Sequence, residues 1–225
     1  MSVWGGSSAI TTIPVSATQG LISIAAGSEH IVALRSDSKV VAWGDNDANQ
    51  INVPNSLTTA RVVTDPLRVV AVTAGANFSL ALRANGTLVA WGDNTYGQTT
   101  IPASLTDVVQ VSAGVRHVVA LRKNGTIVSW GDHTYGQTAA SSLMGVAKVV
   151  AAGWHTVALL RNNSVVAWGR NDSGQTIIPA LTNAVDIAAS NADSMVLLAD
   201  GQVQVYGDDG FGQKTIPTTA NVIIP

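Results

Sequence analysis

The chain contains no cysteine, which excludes disulfides, thiolate metal sites and cysteine nucleophiles together. A fold built from it must be held by packing and hydrogen bonds alone. Charge is also scarce, since Asp, Glu, Lys and Arg make up 12% of the 225 residues, against about a quarter in a typical soluble domain. The neutral polar surface that this composition predicts favours a virion or an extracellular surface.

Other absences narrow the classes of partner. The formal net charge is −2 and no run of Lys or Arg occurs, so we predict that nucleic acid is not a partner. No stretch reaches the roughly 18 apolar residues of a membrane helix, which predicts no membrane insertion. Residues 1–6 lack the basic and apolar regions of an export signal, so no cleavable signal is expected.

What the chain does have is a repeat. A strand-like run ending in Trp-Gly or Tyr-Gly recurs at intervals of 39, 48, 39, 38 and 38 residues. The aromatic residues are Trp4, Trp43, Trp91, Trp130, Trp168 and Tyr206. A period in this range with several short strands per unit predicts an all-β fold, a β-propeller. One array without a break in composition predicts a single domain over residues 1–225.

Each unit contains three strand-like runs, seen clearly at residues 108–114, 117–122 and 126–130. Asn124-Gly125 lies between the second and third runs, where a two-residue hairpin turn is expected. The Trp of each Trp-Gly pair is predicted to be a wedge between blades. Left-handed backbone is expected before each recurring Gln of the repeat, at Asn49, Gly97, Gly136, Gly174 and Gly212. The glutamines that follow are expected to satisfy backbone groups between blades.

Two segments carry a family resemblance. Val-Ala-Trp-Gly-Asp-Asn-Thr-Tyr-Gly-Gln at 89–98 and Ala-Gly-Val-Arg-His-Val-Val-Ala-Leu-Arg at 113–122 resemble the regulator of chromosome condensation repeat family, and the likeness covers nearly the whole chain. Thr-Ile-Pro at 100–102 and 215–217 is most similar to the bacterial branch that contains the propeller-type β-lactamase inhibitory protein. The resemblance implies a ligand-binding propeller, generally of seven blades.

The number of repeats departs from that pattern. Six Trp-Gly or Tyr-Gly strands stand beside five Ala-Gly…Leu-Arg stretches, because the chain begins inside a repeat at Val3-Trp4-Gly5 and ends with 221–225. We predict five complete blades plus an incomplete sixth made from the two termini, which removes exposed sheet edges. The alternative is an open arc whose incomplete blade mediates self-association.

No catalytic constellation is visible in the sequence. His30 and His117 occupy equivalent repeat positions and are expected to be structural, while His133 and His155 are placed outside that register. Residues 45–49 superficially resemble a calcium loop but lack its glycine and glutamate. We therefore predict no enzyme activity, no catalytic residue, no metal and no cofactor.

Binding residues are predicted on the loops that follow each Ala-Gly turn, because these loops vary while their frame repeats. Trp154 is the one tryptophan outside the Trp-Gly register, and Trp and Arg dominate interface hot spots. Trp154 beside Arg116 of the adjacent blade is the best candidate, although Trp154 could instead be a wedge in an irregular blade. The predicted partner-binding residues are Glu29, Asn77, Phe78, Arg116, Trp154, His155 and Asp193.

Two further features are left open. Tyr96, Tyr135 and Phe211 precede the turn glycines, where they either cap the turns or form a separate contact face. The 48-residue interval adds nine residues around Ala60–Pro66, which predicts a loop on one face.

The function predicted from the sequence is non-catalytic recognition of a protein partner by a rigid scaffold, in its concrete version a virion or cell-surface component. The runner-up is an enzyme inhibitor of the β-lactamase-binding kind. A third class, guanine nucleotide exchange on a small GTPase, is implied only by the resemblance to eukaryotic family members.

Overall fold

The computed structural model describes residues 12–139 and 142–216. This part of the chain forms fifteen strands in five three-stranded antiparallel sheets, with two short 3-10 helices at Val15–Ala17 and Asn55–Leu57. The prediction of an all-β propeller fold is confirmed. The residues predicted to make the sixth blade, Val3-Trp4-Gly5 and 221–225, lie outside the described residues.

Each sheet is one blade with an inner, a middle and an outer strand, and blades 1 to 5 follow in chain order. The inner strands are β1 (Leu21–Ala26), β4 (Val69–Ala74), β7 (Val108–Ala113), β10 (Val146–Ala151) and β13 (Ala184–Ala189). The middle strands are β2 (His30–Arg35), β5 (Phe78–Arg83), β8 (His117–Arg122), β11 (His155–Leu160) and β14 (Asp193–Leu198). The outer strands are β3 (Val40–Gly44), β6 (Leu88–Gly92), β9 (Ile127–Gly131), β12 (Val165–Gly169) and β15 (Val203–Gly207). Inner strands of successive blades contact one another, so they surround a common axis.

The hairpin between middle and outer strands is present in every described blade, but its loop is longer than predicted. The Gly86 N–H donates to the Arg83 carbonyl at 2.9 Å, and Gly86 then has φ +79°. This is a tight turn followed by one left-handed residue, the usual three-residue hairpin loop. Ser38 and Asn163 hold the same left-handed position in blades 1 and 4.

The core lies between the blades, and tryptophan is its wedge as predicted. Trp130 packs with Leu80, Leu105 and Val118, and its indole N–H donates to the Gln98 carbonyl of the preceding repeat at 3.0 Å. Trp91 and Trp168 make the same bond to the carbonyls of Gln50 and Gln137. Tryptophan therefore joins neighbouring blades by both packing and hydrogen bonding.

The glutamine side chains do not bridge blades as predicted. Gln98 Oε1 accepts from the Tyr96 N–H at 2.8 Å, and its Nε2 donates to Asp93 at 2.8 Å. The side chain thus closes its own turn, whose left-handed glycine is confirmed at Gly97 with φ +79°. The main-chain carbonyl of the same glutamine makes the bond between blades.

The two faces of the array carry different loops. The upper face holds the turns between inner and middle strands and the turns after the outer strands, which bond to each other through Asp93 N–H to Asn77 and Asp132 N–H to Arg116, both at 2.9 Å. The lower face holds the hairpin loops. The inserted loop lies on the lower face, where Arg61 N–H donates to Asp37 at 3.0 Å and Asn85 N–H to Pro66 at 2.9 Å.

Candidate functional site

The first residue of each middle strand is buried, and in blades 1 to 4 it lies at the junction with the next blade. The five residues at this position are His30, Phe78, His117, His155 and Asp193. His155 is in register with His117, which corrects the prediction that it is displaced. The reason is that Ala152 holds the place of Gly114: the N–H of each bonds the carbonyl of the first middle-strand residue. The turn glycine of blade 4 therefore comes one residue later.

The buried histidines belong to hydrogen-bonded relays between blades. His117 Nε2 lies 2.9 Å from Thr156 Oγ1 of the next blade, and that hydroxyl is 3.3 Å from the Gln137 carbonyl. A carbonyl can only accept, so the hydroxyl proton goes to it and Nε2–H donates to the hydroxyl. His30 and His155 make equivalent relays through Ser79 and Ser194.

Burial keeps these histidines neutral. It lowers the pKa of His117 to about 4 and that of His155 to about 4, from the ordinary 6.5. The junction without a relay holds Phe78, which packs in one apolar cluster with Val118. The position therefore belongs to the scaffold.

Three of the predicted partner-binding residues are buried. Phe78 and His155 are 0% exposed and Asp193 is 8% exposed, so little or none of their side-chain surface is available to a partner. Glu29 and Asn77 are exposed, while Arg116 and Trp154 are half-buried. All four precede a middle strand, one residue from the buried position.

Arg116 and Trp154 belong to a cluster of five side chains on the upper face. We name it the ladder and define it as Tyr96, Arg116, Trp154, Tyr135 and Arg170. The Arg116 guanidinium carbon lies 4.7 Å from the centre of the Tyr96 ring and 5.3 Å from that of Trp154. The rings of Trp154 and Tyr135 meet edge to face at 5.8 Å, and Arg170 lies 5.5 Å from the Tyr135 ring.

The repeat explains why the ladder forms where it does. The residue before each turn glycine meets the loop of the next blade, which gives Tyr96 with Arg116 and Tyr135 with Trp154. At the other described junctions the residue before the glycine position is Ala48 or Ser173. The tyrosines therefore extend the Arg116–Trp154 pair and do not form a separate face.

Arg170 is the member of the ladder that sequence reasoning missed. The equivalent position in the other described blades is occupied by Asp45, Asp93, Asp132 and Asp208. An arginine at a repeat position that is aspartate in the other described blades could have been recognised from the sequence as a candidate binding residue. In the structure Arg170 Nε donates to Asp172 at 2.6 Å.

The charge of the ladder is balanced by carboxylates beneath it. Burial opposes ionisation of Asp93 and Asp132, but hydrogen bonds from Thr95 and Thr134 and the charge of Arg116 outweigh it. Both pKa values therefore lie below the usual range, and both groups are ionised at neutral pH. The ladder is an aromatic and arginine surface without excess positive charge.

A cavity of about 370 Å³ opens beside the ladder, lined by small residues at the ends of the inner strands. Val115 and Gly153 line it, and they directly precede Arg116 and Trp154. Its wall is a belt of backbone bonds, including Ala76 N–H to Val115 at 3.2 Å and Val115 N–H to Gly153 at 3.0 Å. The loops that carry the ladder are therefore joined to the loops of neighbouring blades by backbone hydrogen bonds.

Residues 12–139 and 142–216 contain no group of three or more His, Asp or Glu that could hold a metal ion. Within the same ranges, no helix has the length and hydropathy needed to span a bilayer.

The fold and the upper-face surface define this chain as a β-propeller whose loops carry a cluster of aromatic and arginine side chains. It belongs to the regulator of chromosome condensation (RCC1) repeat family, whose sequence profile matches residues 21–50, 69–98, 108–137 and 146–175. These four segments make up more than half of the chain. A comparison with proteins of curated function finds no match.

Solved structures share the fold. The chain is similar to Prp20p of Saccharomyces cerevisiae, with 25% identity and a TM-score of 0.69 over 88% of this chain and 59% of that one. It is similar to human WBSCR16, with 21% identity and a TM-score of 0.68 over 84% of this chain and 62% of that one. The Physcomitrella patens CR4 receptor kinase ectodomain gives 23% identity and a TM-score of 0.67, over 91% and 55%. The chain thus spans less than two thirds of each of these proteins.

Proposed function

We propose that this chain is a non-catalytic scaffold that recognises a protein partner with its upper face, and that the ladder is the centre of the contact. The observation that carries the proposal is the ladder itself. Tryptophan, tyrosine and arginine are the residues that dominate hot spots in protein interfaces. Here they meet in one sector, with Tyr96 42% and Tyr135 45% exposed.

The ladder is also held in place before any partner arrives. Arg116 lies over two rings, and the loops of Arg116 and Trp154 are bonded to the turns after β9 and β12 through Asp132 N–H and Arg170 N–H, each at 2.9 Å. A side chain that is already ordered loses less conformational entropy on binding. Such a surface suits recognition better than a mobile loop does.

The similar structures support a protein as the class of ligand. Prp20p is described with its binding to Gsp1p and histones, and a second structure has Kap60 bound to it. Those partners are Prp20p's own, and what we extend to this chain is the class alone. The assignment to a virion or cell surface stays a prediction from composition, and nucleotide exchange on a small GTPase stays the least favoured function.

Enzyme inhibition through the same face is the second candidate. The resemblance to the inhibitor branch implies a loop ring rich in aromatic residues, and Phe78 is too buried to contribute. Tyr96 and Tyr135 beside Trp154 supply that character instead. The inhibitor would be a special case of the proposed recognition scaffold.

Affinity capture tests the proposal. The immobilised full chain, its Trp154→Ala variant and an Arg161→Ala control are incubated with a lysate of the source cells. Arg161 is exposed on the lower-face hairpin of the same blade as Trp154. We expect a protein that the wild type and Arg161→Ala retain and that Trp154→Ala loses, because a central tryptophan contributes about 2 kcal/mol or more, roughly a 30-fold change in affinity.

The thermal midpoint of each variant shows whether it is folded. A set of captured proteins that is the same for folded Trp154→Ala and for the wild type would contradict the proposal. So would a protein lost equally with the lower-face control.

A further inference from the structure

Both arginines of the ladder lie against a tyrosine ring, but among the described residues only Arg170 forms an ion pair with a carboxylate. Arg170 lies over Tyr135 and forms an ion pair with Asp172 at 2.6 Å. Arg116 lies over Tyr96 and Trp154, and its hydrogen bond within the described part of the chain goes to the Tyr96 hydroxyl at 2.9 Å. No ion pair of Arg116 occurs among residues 12–139 and 142–216.

Arg116 keeps hydrogen-bond donors for a partner. A guanidinium has five N–H donors, all in its plane, and no acceptor. Within the described part of the chain Arg116 uses an Nη1 donor for the Tyr96 hydroxyl, which leaves its other donors available. A planar fork of N–H groups matches the two oxygens of a carboxylate, and the contacts with the rings of Tyr96 and Trp154 restrict its orientation in advance.

The surrounding charges select a single carboxylate over a polyanion. Asp93 and Asp132 are ionised close to Arg116, since its charge lowers the pKa of both. Several phosphates held near these two carboxylates would be repelled, and the chain as a whole carries a net charge of −2. One carboxylate at the guanidinium gains the charge-assisted bonds and meets the repulsion of the two aspartates with a single charge.

We propose that Arg116 is the carboxylate-binding anchor of the upper face, and that it takes an Asp or Glu side chain from the protein partner. The proposal rests on the recognition function proposed above and names the chemistry of its partner. Within the chain, Arg170 already combines the two contacts, since it lies against the Tyr135 ring and forms an ion pair with the Asp172 carboxylate. At Arg116 the partner supplies the carboxylate.

A random dodecapeptide phage library selected on the immobilised full chain tests this directly. We expect the selected peptides to share an acidic residue. A synthetic copy of one of them is then titrated against the wild type, Arg116→Lys, Arg116→Ala and the lower-face control Arg161→Lys. Changing the peptide's acidic residue to its amide should weaken binding to the wild type about 10-fold or more, and should have no further effect on Arg116→Ala.

Arg116→Lys keeps the charge but loses the planar fork, so it should also bind about 10-fold more weakly while Arg161→Lys binds as the wild type does. The inference is overturned if no peptides are enriched, if they share no acidic residue, or if the amide peptide loses as much on Arg116→Ala as on the wild type. Peptides whose binding requires Trp154 but not their acidic residue would contradict the carboxylate inference while still supporting the recognition function. If the wild type and Trp154→Ala capture the same proteins from the lysate, the recognition function itself is contradicted.

Discussion

At the scale of single residues, the chain contains two solutions to the same packing problem. His117 bonds the Thr156 hydroxyl across a blade junction at 2.9 Å. At the preceding junction, Phe78 and Val118 occupy the equivalent positions and share an apolar cluster. A polar pair and an apolar pair thus fill equivalent sites at successive junctions. Neither pair leaves a hydroxyl or a ring N–H without a hydrogen-bond partner.

This comparison predicts strong coupling between the two polar residues. Thr156→Val leaves the His117 N–H buried without an acceptor, which should cost about 1–3 kcal/mol of unfolding free energy. Adding His117→Phe copies the Phe78 and Val118 pair and should restore most of the loss. Urea unfolding of the two single variants and the double variant measures the coupling. Effects that add to within about 0.5 kcal/mol would show that the two side chains do not act as a pair.

The same histidines should make stability depend on pH. His117 and His155 have a pKa of about 4 when folded and about 6.5 when unfolded. The unfolded state therefore binds protons first as pH falls, so their stabilisation is complete above pH 6.5 and is lost between 6.5 and 4. The slope reaches roughly 1.4 kcal/mol per pH unit for each histidine.

Urea midpoints measured from pH 7 to 4.5 test this. The variant with His117→Phe and Thr156→Val carries one fewer titrating histidine, so its stability should fall less steeply than that of the wild type. Parallel curves for the two proteins would contradict a neutral buried His117.

The sequence was informative for the residues that repeat regularly and misleading where the repeat slips. His30 and His117 are structural as predicted, because both are buried in equivalent relays. His155 was misplaced because Ala152 stands where the other turns have glycine. Phe78 was predicted as a contact because one residue separates the exposed loop tip from the buried start of the strand.

At the scale of the elements, the hairpins and turns depend on residues with positive φ. Gly86 and Gly97 have the same φ of +79° but different surroundings. A Cβ on Gly86 would lie 2.9 Å from backbone atoms of Asp107 and Val108, whereas one on Gly97 would meet nothing within 4 Å. The two positions separate conformational strain from a steric clash.

We therefore expect Gly97→Ala to lower the free energy of unfolding by about 1–2 kcal/mol, the cost of a left-handed alanine. Gly86→Ala should cost clearly more, because the backbone of the next repeat must also move. Urea unfolding of both variants measures the two losses in free energy of unfolding and compares them. Equal losses would mean that the lower-face contact between Gly86 and the segment before β7 adds nothing.

The hairpins also show where local sequence stops being sufficient. Asn-Gly and Asp-Gly, at residues 85–86, 124–125 and 200–201, located the turns of blades 2, 3 and 5 correctly, because such pairs favour left-handed backbone. They did not distinguish a two-residue loop from a three-residue one, since both place glycine at positive φ. Ser38, with φ +67°, gave no signal because serine rarely occupies that region.

At the scale of the whole molecule, the period predicted the propeller and the five described blades, because each repeat supplies one sheet and Trp91, Trp130 and Trp168 join successive blades. The ladder was only half predictable. Arg116 and Trp154 follow from loop variability, but Tyr135 meets Trp154 across the junction between blades 3 and 4. That contact depends on how successive blades are rotated, which one repeat read alone does not specify.

The most direct test of recognition by the upper face is to identify the face that touches the partner. A photo-crosslinking phenylalanine analogue is placed at Tyr135 on the upper face, or at Lys123 on the lower face of the same blade, and both proteins are irradiated in a lysate of the source cells. Both positions are exposed. Recognition by the ladder face predicts a discrete crosslinked protein from position 135 and none from position 123. Crosslinks from 123 alone, or the same products from both, would contradict recognition by the ladder face.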